Sequence, residues 1–297
     1  MEQVRAGTSA IASDFAKEAA KNFAMGIGAV RNWRLSRPRT ATQFGDTDEF
    51  LNTYAFSGLN HLREHTGDLK GKSICEIGAG DYLTSGLAML AAGAARYTVI
   101  DRFPGDYAGG EAKHWYGEIQ KNWARFYPET PWDESLTATG FPENFDDRLE
   151  LVAKPIETAV TKSDFDVICS FQVGEHVSDI NAFAEIHTRL LRPDGVGLHR
   201  VDFGPHGCWS LYRDAATFLR FSDPVWNLTG SNRGAPNRRR HHEFTEAFDR
   251  AGLDTEVLLL EHFDEASVEL DKLNKKFREM PRESVMVKTA IYRLKKR

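Results

Sequence analysis

Cysteine is scarce: 297 residues contain three, Cys75, Cys169 and Cys208, an odd number without metal-type spacing. This excludes a disulfide-built scaffold and fits a reducing cytoplasm. Long apolar runs are missing too, since the longest, Gly86 to Ala95, falls far short of the ~20 residues that span a bilayer. The one apolar candidate near the N-terminus carries Asp14, Lys17 and Glu18, so neither a signal peptide nor an acid-poor transit peptide fits. Positive charge is not in excess: 38 Lys and Arg stand against 43 Asp and Glu, a net charge of -5. That balance argues against a protein whose main work is gripping nucleic acid. No repeat of 20–50 residues is present. What remains is a soluble cytoplasmic protein of ordinary composition, 41% hydrophobic and 27% charged. At about twice the ~150-residue guide length, it has room for two domains or one decorated domain.

Helical spacing opens the chain. Ile11, Phe15, Ala19, Phe23, Ile27 and Val30 predict one amphipathic helix from Ser9 to about Arg34, closed by Pro38. A second helix starts near Asp46 or Thr47, carries Phe50, Tyr54, Leu59 and Leu62, and ends at Gly67. From Lys72 short apolar runs alternate with helical stretches, the pattern of a parallel sheet flanked by helices. Strands are expected at Ser73–Ile77, Tyr97–Ile100, Leu149–Ala153, Asp166–Ser170, Val196–Asp202, Glu256–Glu261 and Val285–Tyr292. Helices are expected at Leu83–Ala94, Ile180–Leu191, Glu243–Ala251 and Ser267–Glu279. Two stretches interrupt the alternation: an insertion at 103–148 with ten aromatics in 46 residues, and a Gly-, Pro-, Asn- and Arg-rich lid at 203–240.

The most informative segment is Ser73-Ile-Cys-Glu-Ile-Gly-Ala-Gly-Asp81, a strand ending in an acidic residue that turns through Gly78 and Gly80 toward a helix. Glycines admit a ligand close to the backbone, and a helix start offers unpaired N–H groups. The third glycine of a dinucleotide fingerprint is absent, because position 83 is Leu83. The next strand ends in Asp101, 21 residues after Gly80, where a carboxylate can accept both hydroxyls of an adenosine ribose.

Together with Phe165-Asp-Val-Ile-Cys-Ser-Phe-Gln-Val-Gly-Glu-His-Val177 and Leu190-Leu-Arg-Pro-Asp-Gly195, these motifs resemble, in order, those of class I S-adenosylmethionine-dependent methyltransferases of the small-molecule type. The resemblance implies a Rossmann-like α/β fold: a seven-stranded sheet of order 3-2-1-4-5-7-6 with the last strand antiparallel. To this the sequence adds an N-terminal helical cap (1–71) and, within a domain at 72–297, the insertion and the lid. It implies S-adenosyl-L-methionine as cofactor, with Glu76, Gly78, Ala79 and Gly80 around its methionine part. Asp101 falls on the ribose, Arg102 beside the adenine, and Ser170 and Phe171 under the sulfonium.

Methyl transfer from a sulfonium needs positioning more than covalent help, with a general base only where the acceptor must lose a proton. His206, His176 and Asp202, at the expected C-terminal edge of the sheet, are the catalytic candidates. In a strand His199 and Val201 share one face while Arg200 and Asp202 share the other, where they could pair. His199, Arg200, Trp115 and Arg238 are read as substrate contacts, with Arg233, Arg239 and Arg240 joining Arg238 in a possible clamp on a carboxylate or phosphate. Some relatives place a divalent ion on Glu-x-x-Glu-His. Gln172 stands at the first of those positions, and no metal is assigned. The segment Leu219–His242 resembles a block seen in bacterial methyltransferases of biosynthetic clusters. The expected partner is a small molecule rather than nucleic acid or membrane, with the oligomeric state open. Two alternatives stand beside methyl transfer: a lyase or cyclase that expels methylthioadenosine intramolecularly, and a non-catalytic cofactor-binding subunit.

Overall fold

Apolar residues on both faces mark a strand that helices cover on both sides, and Ser73-Ile-Cys-Glu-Ile77 is such a strand, buried throughout. It lies at the centre of a seven-stranded sheet in the computed structural model, which describes residues 7–35, 46–136, 140–145, 147–161 and 164–297. The strands are β1 (Ser73–Ile77), β2 (Arg96–Ile100), β3 (Leu149–Val152), β4 (Phe165–Phe171), β5 (Leu191–Asp202), β6 (Leu253–His262) and β7 (Val287–Lys296). Their order is β3-β2-β1-β4-β5-β7-β6; β7 runs antiparallel to both of its neighbours and the first five strands are parallel. The implied fold is therefore the observed one.

One face is covered by α4 (Ser57–Thr66), α5 (Thr84–Ala91) and α6 (Gly110–Phe126), the other by α7 (Ile180–Leu190) and α9 (His241–Arg250). Asp179 caps α7 by accepting from the N–H groups of Asn181 and Ala182, and Glu243 accepts from the N-cap N–H of Arg240 to start α9. The helix expected from Asp46 begins as α3 (Thr47–Phe50), widens into a π-helical stretch (Leu51–Phe56) and continues as α4 to the turn at Gly67. Phe50, Leu51, Phe56, Leu59 and Leu62 share one core with α5 and α6, so the expected boundary at residue 71 falls inside a single hydrophobic core.

Two helical expectations are corrected. The first helix is α1 (Thr8–Gly26) and α2 (Gly28–Leu35), parted at Ile27, whose extended backbone lies between two glycines. Pro38 is outside the described residues. Ser267–Glu279 is not one helix but short 3-10 turns followed by α10 (Lys275–Arg278) and, past it, α11 (Arg282–Val285). Asp264 and Asn274 accept from backbone N–H groups two residues on, and such local bonds compete with a continuous helix.

The lid is not a loose loop. Trp209, Tyr212, Phe218, Leu219 and Trp226, the last on α8 (Asp223–Gly230), form a separate core with Leu273, Phe277 and Val285, against which Ile11 and Phe15 of α1 pack. Polar bonds tie α1 to it: Tyr212 donates to Asp14 at 2.9 Å, Asn22 donates to the Leu228 carbonyl at 3.1 Å, and Arg233 pairs with Glu18.

Candidate functional site

The parallel strands end at one edge of the sheet, where the turns after β1, β2, β4 and β5 lie and where open α/β sheets bind their ligands. Gly78 and Gly80 both have φ in the left-handed region, +74° and +78°, for different reasons. A Cβ on Gly78 would stand 2.7 Å from Val173, whereas one on Gly80 would meet nothing within 4 Å. The first glycine lets the loop close on the turn after β4; the second leaves its outer side open to a ligand.

Glu76 is buried and accepts a 2.6 Å hydrogen bond from the Tyr97 hydroxyl. Burial pushes its carboxyl up to about 7; the Tyr97 bond opposes this and the charge of Asp101 adds to it. Asp101 follows β2 at that edge and accepts from the Phe103 N–H at 2.7 Å, which fixes its carboxylate. Arg102 is exposed, donates to Ser178 and lies over the Phe103 ring. The aromatic insertion braces the glycine loop from outside: Tyr116 on α6 accepts from the Leu83 N–H at 3.2 Å and donates to the Tyr107 carbonyl at 3.0 Å. An open glycine turn, a carboxylate held at the next strand end and a buried acid beneath the loop fit a nucleoside cofactor with an amino-acid end.

On the far side, Asp202 at the end of β5 has Oδ2 3.5 Å from Nε2 of His206, whose ring meets that of His176 edge-on at 5.0 Å. Burial alone would raise the Asp202 carboxyl, yet His206, the Gly204 N–H and Lys288 together hold it below the usual carboxylate range. His176 points Nδ1 at the Gly234 carbonyl, 2.7 Å away, so Nδ1 carries the proton of the neutral ring and Nε2 the lone pair. Glu175 is 3% exposed, with no side-chain partner for its carboxyl among the described residues. Burial, and then the charge of Asp202, push its carboxyl well above the ordinary value. Glu175, His176 and His206 bring ligand-type atoms within 4.8 Å of one another. Gln172, between these residues and β4, holds a left-handed φ of 60° and donates its N–H to the Arg200 carbonyl at 2.8 Å.

Four expected contacts are corrected. His199 is fully buried against α7, accepts from Ser170 at Nδ1 (2.8 Å) and meets His187 at Nε2 (2.6 Å), so it is a core residue rather than a substrate contact. The hydroxyl of Ser170 is turned to that core and is committed to His199. Trp115 is 7% exposed and stacks on Phe50 at 3.6 Å, inside the core between α6 and α3. Arg238 is 2% exposed: it donates to the Phe218 and Phe221 carbonyls, pairs with Asp223 and lies over the Trp226 ring. The proposed clamp dissolves with it, because Arg233 pairs with Glu18, Arg239 with Glu243, and buried Arg240 donates to the carbonyls of Phe203, Val285 and Val287. Arg200 keeps to the face of Asp202 as expected, but the two form no ion pair. Phe171 packs beneath Gly58 of α4 and meets the ring of His61 edge-on at 6.2 Å. His61 is not among the residues singled out from sequence, although it opens His61-Leu-Arg-Glu64-His65, whose i, i+4 spacing sets the two histidine rings 4.6 Å apart on α4.

A family model described as a methyltransferase domain matches residues 48–258. No curated protein matches the chain. Among solved structures, the chain is similar to an S-adenosylmethionine-dependent methyltransferase from Mesorhizobium loti, with 13% identity over 82% of this chain and 99% of that one, and a TM-score of 0.44. It is also similar to the YcgJ protein from Bacillus subtilis, with 15% identity over 81% and 98% of the two chains and a TM-score of 0.42.

Proposed function

The chain belongs to the methyltransferase-domain family and uses S-adenosylmethionine, and from that premise we propose that it methylates a small molecule bound between the glycine loop and the lid, with Asp202 and His206 taking the acceptor's proton. The observation that carries the proposal is the Asp202–His206 pair at the C-terminal edge of β5. When bound, the cofactor supplies an electrophilic methyl group on a sulfonium. Gly78, Ala79 and Gly80, with Glu76 beneath them, would hold its amino-acid end, Asp101 its ribose and Arg102 its adenine, with Phe171 as an apolar surface beside it. Asp202 orients His206 through Nε2, leaving the opposite nitrogen for an acceptor proton. The fastened lid limits water around the reacting groups.

A small acceptor suits the lid better than nucleic acid does. Of its six arginines, Arg220, Arg233, Arg238, Arg239 and Arg240 are committed to internal partners and the sixth, Arg213, is exposed, so the lid presents no basic stripe. No described helix is long and apolar enough to cross a membrane, and the three cysteines are free thiols, which suits the cytoplasm. A biosynthetic role is favoured by the resemblance of the 219–242 segment to a block of methyltransferases from biosynthetic clusters.

The test is incubation with methyl-labelled S-adenosylmethionine, alone and with an acceptor library. Label in an acceptor together with S-adenosylhomocysteine is the expected result. Methylthioadenosine formed without any acceptor would instead establish the intramolecular lyase. In His206→Gln, kcat should fall about 10²–10⁴-fold with S-adenosylhomocysteine affinity retained; an unchanged kcat removes His206 from catalysis.

A further inference from the structure

Arg200 makes no ion pair among the described residues, and the carboxyl its charge acts on, that of Glu175, is one that burial holds toward its protonated form. Arg200 pairs in register with Phe171 across β4 and β5, which places its side chain on the face of the sheet that α4 covers. Its residue is only partly exposed and its Nε is buried, yet the guanidinium makes no hydrogen bond or ion pair among the described residues. On the opposing helix His61 lies edge-on to the same Phe171 ring, and its Nε2 is likewise buried without a partner. Burial, then His65 and Arg200, keep His61 neutral by lowering its pKa, against the opposing charge of Glu64. Two buried nitrogens thus flank an aromatic ring with no acceptor between them. Leaving such groups unpaired costs folding free energy, so a site of this kind is explained by what it binds.

We propose that Arg200 and His61 bind a carboxylate group of the methyl acceptor. A guanidinium accepts a carboxylate through two parallel N–H···O bonds, and His61 in its Nε2–H form supplies a third donor. One guanidinium and one neutral imidazole offer a single positive charge, which balances a carboxylate but not a phosphate dianion. The carboxylate belongs to the acceptor and not to the cofactor because of strand order. Arg200 is on β5, two strands and about 10 Å from the glycine loop of β1, with β4 between. It also lies two residues before Asp202, so the anchored group and the proton-accepting pair are set at neighbouring points of one strand end. The acceptor is then a small hydroxy or amino acid, or an aromatic acid, fixed by its carboxylate with its nucleophile toward His206. The inference rests on the methyltransferase reading of this edge of the sheet.

The experiment uses the full chain with saturating S-adenosylhomocysteine and titrates sodium benzoate, with benzamide as its uncharged match, by calorimetry. Binding of S-adenosylhomocysteine is measured first, and its absence would count against the methyltransferase reading itself. The expected result is benzoate binding at least about tenfold tighter than benzamide, a preference lost in Arg200→Met and weakened in His61→Gln. Arg200→Lys should restore part of it. Arg200→Gln replaces Arg200→Met if the latter melts early. No benzoate preference in the native chain, or one that survives Arg200→Met and Arg200→Gln, overturns the proposal. So does a loss of S-adenosylhomocysteine affinity in Arg200→Met with methylthioadenosine affinity intact, since that places the carboxylate on the cofactor.

Discussion

The Nε2 atoms of His187 and His199 lie 2.6 Å apart in the buried face of the sheet, and their other bonds decide which one holds the proton. His187 Nδ1 faces the Ala184 carbonyl at 3.1 Å and must donate, so its Nε2 accepts from His199; Nδ1 of His199 then accepts from the Ser170 hydroxyl. Every group is satisfied with both rings neutral. A proton added to the pair would place a full charge in the buried face of the sheet, which burial disfavours.

This chain makes stability sensitive to acid. Burial lowers the His187 pKa to about 4 and that of His199 well below its ordinary value, while both titrate near 6.5 in the unfolded chain. The folded state binds fewer protons, so stability is full above about pH 6.5 and falls as pH drops toward 4. His187 alone contributes a loss of about 3 kcal/mol across that window. Urea midpoints at several pH values check this. The double variant His187→Leu/His199→Leu should show a flatter dependence; a slope equal to that of the native chain would refute the assignment.

The glycine loop makes two separable predictions. Gly78→Ala places a Cβ against Val173 in a left-handed backbone, so it should lower the melting temperature and abolish S-adenosylhomocysteine binding together. Gly80→Ala meets only the backbone penalty of about 1–2 kcal/mol, since its Cβ points into open space. Its main effect should be weaker cofactor binding in a folded protein. Calorimetry beside thermal melts separates the two, and equal melts with equal binding losses would show that Val173 is not the obstacle.

These local features were legible because they depend on neighbours in sequence. Ser73–Ile77 was bounded correctly by its apolar run, and Asp101 by its place at the next strand end. The sheet order came with the motif order. What could not be read depends on partners far along the chain. A histidine at 199 advertises the need for a partner but not whether that partner is a ligand or His187. Arg238 reads as a surface cation until Phe218, Phe221 and Trp226 fold around it. The π-helical stretch at Leu51–Phe56 shifts the phase of the helix, so the orientation of His61 cannot be extrapolated from Phe50 and Tyr54.

Glu175 bears on cation dependence. A carboxyl must lose its proton to ligate a metal, and burial favours the protonated form here. With a proton on Glu175, the cluster it forms with His176 and His206 needs no cation, so turnover should persist after exhaustive chelation. Activity lost to chelator and restored by manganese or zinc would show that an ion displaces that proton.

Arg238 separates structure from function in the lid. As a substrate clamp, its loss would raise the acceptor KM and leave the fold intact. Its side chain is instead enclosed by the lid core, with two carbonyls and Asp223 as partners and the Trp226 and Phe277 rings on its flanks. Arg238→Met removes the charge and orphans those two carbonyls, at about 1–3 kcal/mol each, while half-exposed Asp223 keeps Lys276 as its partner. Because α1 packs on the same core, its helical signal should weaken with it. Thermal unfolding followed by circular dichroism, with limited proteolysis between residues 203 and 240, measures both effects. A variant that melts like the native chain but binds acceptor poorly would return Arg238 to the substrate site.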